Sequence, residues 1–147
     1  MRTVLLVLAA LIFMLAPGLM AGEIKVIGKD YTFEAPATLG AGMNTFAFEN
    51  TGQLRHEMIL VPLKAGVTEQ TIRDAHVGGI TLRKLLQQVG DGEIMGILLA
   101  MPRQSSSGTL TVNLVGGRTY LIICQLDAPE GTPRHNLLGM YTTFRVE

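Results

Sequence analysis

Gly117-Arg118-Thr119-Tyr120-Leu121-Ile122-Ile123-Cys124 reads as a strand that leaves a glycine turn and ends on the only cysteine of the chain. β-branched and aromatic residues of this kind suit a pleated, packed surface. Downstream, Gln125 to Arg134 is a loop carrying Asp127, Pro129, Glu130 and Gly131. His135 lies within the same connection, and Met140 opens a last strand, Tyr141-Thr142-Thr143-Phe144-Arg145-Val146. Upstream, Gly108 to Leu114 alternates as a strand. His56 to Leu63 contains Met58-Ile59-Leu60-Val61, an apolar run of the kind shown by a strand covered on both faces, and Pro62 closes it. Met43 to Asn50 alternates and runs into a turn at Asn50-Thr51-Gly52. Glu23 to Ala35 holds two short strand-like pieces, with Ile24, Val26, Tyr31 and Phe33 in alternation.

One stretch, Gly66 to Met101, breaks the rhythm. Thr68 precedes Thr71 by three residues, a variant of the capping box, and opens a short helix through Ala75. Leu82, Leu85, Leu86 and Val89 share a helical face between Thr81 and Gly90. About seven strands in one domain, interrupted by two short helices, predict an all-β sandwich with a helical insertion.

The whole chain has 147 residues, with twelve Lys and Arg against twelve Asp and Glu. That length suits a single domain, and the absence of a basic run argues against a nucleic-acid partner. With 48% hydrophobic and 16% charged residues, the chain has enough apolar surface to fold. Some of that excess is local. Arg2 is followed by an apolar run from Val4 to Ala16, then by Pro17-Gly18 and small residues. Residues 1–22 therefore read as a secretory signal peptide, and 23–147 as the mature domain. An uncleaved anchor is the alternative, but the run is short against the roughly 20 residues of a membrane span. Eleven basic and twelve acidic residues remain after residue 22, a net charge of −1. No cysteine follows the apolar run, which excludes lipid attachment there. A single cysteine in an exported chain is a free thiol, an intermolecular bridge or a metal ligand.

Four residues near strand ends carry chemistry: His56, Cys124, His135 and Met140. Two imidazoles, a thiolate and a weak thioether form the donor set of a mononuclear blue-copper site. Soft sulfur suits Cu(I) and nitrogen suits Cu(II), so a compromise cage holds both states with little movement. Other features are structural. His76 reads as a helix-end residue. Met43, Met58, Met95 and Met101 are scattered core filling. Ser105-Ser106-Ser107 lacks the glycines of a nucleophile elbow, and no phosphate-cradling motif occurs.

Asn50-Thr51-Gly52 before His56, the run from Gly117 to Cys124, and Pro133-Arg134-His135-Asn136-Leu137-Leu138-Gly139-Met140 resemble the cupredoxins, the plastocyanin and azurin group, over nearly the whole mature chain. The resemblance implies a Greek-key sandwich that binds one copper ion. It implies His56, Cys124 and His135 as equatorial ligands and Met140 as the axial one. Two features depart from the group. Ten residues separate Cys124 from His135, where plastocyanin and azurin have only a few, although copper nitrite reductases have a comparably long loop. Glu57 stands where those proteins have an asparagine that ties the ligand loops together, which leaves the rigidity and reduction potential of the site open and permits the looser cage of a copper-handling protein.

Three functions fit this reading. The first is a periplasmic or extracellular one-electron carrier, not an enzyme. It would be a monomer meeting redox partners through an apolar patch at the His135 edge formed by Pro133, Leu137 and Leu138. The second is a copper chaperone or buffer that holds Cu(I) for delivery partners. The third is a metal-free interaction module. With the signal removed, no stable membrane insertion is expected, and three histidines are too few for a multicopper enzyme.

Overall fold

The computed structural model describes residues 22–76 and 81–147. The expected signal peptide, save Gly22, lies outside the described residues, as does the Gly78-Gly79 pair. Two β-sheets face each other. One contains β1 (Ile24–Lys29), β2 (Thr32–Glu34), β4 (Gly42–Asn50) and β7 (Leu110–Leu114), in the order β2-β1-β4-β7. The other contains β3 (Thr38–Leu39), β5 (His56–Pro62), β6 (Gly96–Ala100), β8 (Thr119–Ile123) and β9 (Tyr141–Val146), in the order β3-β9-β8-β5-β6. Most pairs are antiparallel, but β1 runs parallel to β4 and β3 parallel to β9. The expected sandwich is thus present, with two strands beyond the sequence reading. β3 has two residues, too few to leave a pattern. β6 falls inside the stretch read as helical, where Ile97 and Leu99 point outward from an edge strand and blur the alternation.

The apolar run on β5 has the cause its sequence suggested. Met58 and Leu60 face the four-stranded sheet, joining Phe46, Phe48, Tyr120, Ile122 and Phe144 in the inter-sheet core. Ile59 and Val61 face the other way, with Leu121 and Ile123 of β8, and are covered by the helices. Those are α1 (Glu69–His76) and α2 (Leu82–Val89), which place Ile72, Leu85 and Val89 on the sheet. The Thr68 and Thr71 hydroxyls each accept the other residue's backbone N–H, at 3.2 and 3.3 Å, so a threonine completes the capping box. Thr81 caps α2 by accepting the Lys84 N–H. No helix among the described residues is long and apolar enough to cross a membrane.

Candidate metal centre

Strand parity brings the first two candidate ligands together. His56, Met58 and Leu60 share one face of β5, and Tyr120, Ile122 and Cys124 share the corresponding face of β8 and its extension. Both ligand side chains therefore point between the sheets at one end of the sandwich, where each is wholly buried. Across the β8–β9 ladder, the Cys124 N–H donates to the Met140 carbonyl at 3.1 Å, which sets Met140 directly opposite Cys124. Met140 is also wholly buried, and Gly28 on β1 leaves room for it. A Cβ on Gly28 would stand 3.4 Å from the Met140 Cε and 2.9 Å from the Phe48 ring.

His135 arrives by a different route. It begins a 3-10 turn, His135–Leu138, which ends at Gly139 with φ +104°. That left-handed backbone favours glycine and folds the chain back, so the Met140 N–H donates to the His135 carbonyl at 3.0 Å. The His-x-x-x-Gly-Met spacing is therefore one compact turn that returns two candidate ligands to the same end.

The donors converge. The His56 and His135 Nδ1 atoms are 3.0 Å apart, and the Cys124 Sγ is 3.4 Å from the His135 Nδ1. One donor atom from each of the three residues lies within 4.8 Å of the others. A four-coordinate ion with bonds of about 2.0 Å to nitrogen and 2.3 Å to sulfur holds neighbouring donors about 3.3–3.6 Å apart, so these side chains already stand near ligating separation.

Burial disfavours the charged forms of two of the donors. Burial lowers the His135 pKa, as does a positive charge on His56, and both favour the neutral imidazole. Burial pushes the Cys124 thiol up to about 11, against the opposing pull of backbone N–H groups from Glu57 and Leu126. Those N–H groups are also the donors that stabilise a thiolate once a cation offsets the desolvation. Two imidazole nitrogens and a thiol sulfur form a donor set suited to a first-row transition metal.

Glu57 does tie the ligand loops together. Its Oε1 accepts the Gln125 N–H at 3.0 Å, tying the strand that carries His56 to the loop that leaves Cys124. The link assigned to asparagine in the family is made here by a carboxylate, whose pKa burial raises. His135 departs from the expectation of an exposed edge. It is only 1% exposed, so its ring edge does not reach the surface. The long connection covers it, leaving a cleft of about 240 Å³ lined by Leu54, Arg55, Leu126, Pro129 and His135 itself. An Arg134–Asp127 ion pair at 2.8 Å pins that connection. Of the expected surface patch, Pro133 is exposed, Leu138 is 37% exposed and Leu137 is half-buried.

Three further residues serve the site. Asp30 lies 3.0 Å from the His56 Nε2. The Tyr31 ring meets His135 edge-on at 5.3 Å. Asn50, wholly buried, donates to the carbonyls of Leu54, Ala100 and Met101 and accepts the Gly52 N–H, which fixes the turn leading to His56. Only the turn signal of Asn50-Thr51-Gly52 was visible in the sequence.

A two-sheet sandwich with Cys124 at a strand end and two histidines closing on it has the cupredoxin fold, as the sequence resemblance implied. Reduced auracyanin from the photosynthetic bacterium Roseiflexus castenholzii superposes with a TM-score of 0.55, at 19% identity, over 86% of this chain and 98% of that one. Auracyanin B matches with a TM-score of 0.52 and 20% identity over 85% and 88% of the two chains. Auracyanin A from Chloroflexus aurantiacus, a "blue" copper protein, has a TM-score of 0.49 and 24% identity over 86% and 99%. No family model and no curated protein matches the chain.

Proposed function

We propose that this protein is an exported one-electron carrier built on a single copper ion, with His56, Cys124 and His135 as equatorial ligands and Met140 as the axial one. The observation that carries the reading is the convergence of three buried soft-metal donors, with nitrogens 3.0 Å apart and sulfur 3.4 Å from the nearer one, at one end of a cupredoxin sandwich. Copper bound there supplies cycling between Cu(II) and Cu(I). The chain's part is to hold the donors still and to exclude water. Strands β5 and β8 fix His56 and Cys124, the Glu57–Gln125 link ties their loops, and burial of all four side chains keeps solvent out. The Cys124 thiol gives up its proton on binding, and its backbone donors hold the resulting thiolate.

On this reading the protein is a carrier and not a catalyst, a monomer working outside the cytoplasm after signal removal. Its redox partners dock at the end that bears Leu138 and the cleft over His135. Small, transient contacts suit such exchange. A second reading, copper buffering or delivery, draws support from the burial of His135, since a covered imidazole suits retention of an ion better than rapid electron exchange.

The test is an optical spectrum of the mature domain after one equivalent of Cu(II), then ascorbate. An intense visible band that bleaches on reduction supports the electron carrier. Tight Cu(I) binding without a band supports copper handling. Binding of neither state leaves a cupredoxin-fold interaction module.

A further inference from the structure

We infer that Asp30 is a positioning residue of the centre: its carboxylate fixes His56 in the tautomer that leaves Nδ1 free for the ion and sets how strongly that nitrogen donates. This rests on the metal-binding reading above. A carboxylate only accepts, so at 3.0 Å from the His56 Nε2 it requires the hydrogen to sit on that nitrogen. The neutral ring then has its lone pair on Nδ1, the atom that faces His135 and Cys124. The orientation is set from outside the ligands, because the carboxylate is itself anchored to backbone. Asp30 accepts the Gln53 N–H at 2.9 and 3.0 Å on its two oxygens and the Leu54 N–H at 3.2 Å.

Gly52 permits this approach. A Cβ there would lie 2.3 Å from the Asp30 Oδ1 and 3.0 Å from its backbone nitrogen, a collision with the carboxylate and a tight approach to the main chain. The adjoining Tyr31 holds a left-handed φ of 67° while its ring meets His135, so the turn between β1 and β2 touches both imidazoles through consecutive residues. Strained backbone at a bulky residue persists where the surroundings enforce it. A carboxylate behind a ligating imidazole orients it and raises its basicity, and loss of such a partner weakens metal binding about 10–100-fold. Greater basicity favours the more highly charged ion, so Asp30 also holds the copper potential down.

The test compares the wild type with Asp30→Asn, Asp30→Ala and Gly52→Ala. Nitrogen-15 shifts of His56 are recorded in the metal-free proteins, followed by Zn(II) affinity by competition and the midpoint potential with copper. The wild type is expected to hold the hydrogen on Nε2. Asp30→Asn keeps an acceptor oxygen, so it is expected to keep the tautomer while raising the potential. Asp30→Ala is expected to mix the tautomers and lower Zn(II) affinity about 10–100-fold, and Gly52→Ala to follow it without any change of charge. A His56 tautomer and a Zn(II) affinity unmoved in folded Asp30→Ala would overturn the assignment. The tautomer measurement needs no metal. If the wild type bound neither copper nor zinc, an Asp30-dependent tautomer would still support the positioning role while the metal reading failed.

Discussion

The two halves of the candidate centre are held by different means. His56 and Cys124 ride on neighbouring strands in the middle of the five-stranded sheet, where ladder register and strand parity fix both Cα positions and side-chain directions. His135 and Met140 come from a ten-residue connection and a single 3-10 turn, and their places depend on a few bonds: the His135 N–H to the Leu126 carbonyl at 3.1 Å, the Met140 N–H to His135, and the Cys124 N–H to Met140. The strand-borne half is a consequence of the fold. The loop-borne half is an addition that the fold tolerates, and the Glu57–Gln125 link, beside the Cys124–Met140 bond, joins the two. Such a division lets a sandwich keep its core while the properties of its centre change with the loop.

Replacing a strand-borne donor should have the largest effect. Cys124→Ser is expected to abolish the visible band completely with an unchanged circular dichroism spectrum, because the inter-sheet core does not depend on the thiol. A band that survived would remove Cys124 from the ligand set. Cutting the join comes next. Glu57→Ala is expected to weaken copper about 10–100-fold, as read by competition with a chelator, with little change in melting temperature. If affinity held, the loop would be positioned by its own bonds.

In the loop half, Gly139→Ala puts a Cβ on a left-handed residue and should cost about 1–2 kcal/mol in chemical denaturation. It should also loosen copper, since the same turn returns both His135 and Met140. Met140→Leu is expected to keep the ion and the band but raise the reduction potential, because losing a thioether donor disfavours Cu(II). A lowered potential would count against Met140 as the axial donor.

The smallest effect is one of pH on the metal-free protein. The Cys124 thiol ordinarily ionises near 9.0 and in the folded chain is pushed up to about 11 by burial. Above about pH 9 the unfolded chain has lost a proton that the folded chain keeps. The stabilisation present below that pH is therefore lost as pH rises toward 11. Denaturation midpoints at pH 8 and pH 11 should fall further apart in the wild type than in Cys124→Ser. An equal fall in the two would place the thiol in a more solvated setting.

Much of the scaffold was legible because it depends on local pattern. Met58-Ile59-Leu60-Val61 announced a strand covered on both faces, and it packs on the four-stranded sheet with one face and under α1 and α2 with the other. Leu82, Leu85 and Val89 gave a helix from their spacing alone. β6 was missed because an edge strand with outward Ile97 and Leu99 presents a short apolar run that alternation does not distinguish. In the centre, the four donors stood out by residue type, whereas Asp30 did not. An aspartate in a turn 26 residues before His56 carries no local mark of what it will face.

The sequence by itself determined both helices and all the strands but β3 and β6, the types of donor and their order along the chain, since periodicity, capping and ligand softness are properties of residues and near neighbours. Only the tertiary structure decided that Asp30 backs His56, that Glu57 joins the two ligand loops, and that His135 lies beneath its own connection. Each of these is a contact between segments whose meeting is set by sheet order and register, and a carboxylate acquires its role from what the fold brings to it.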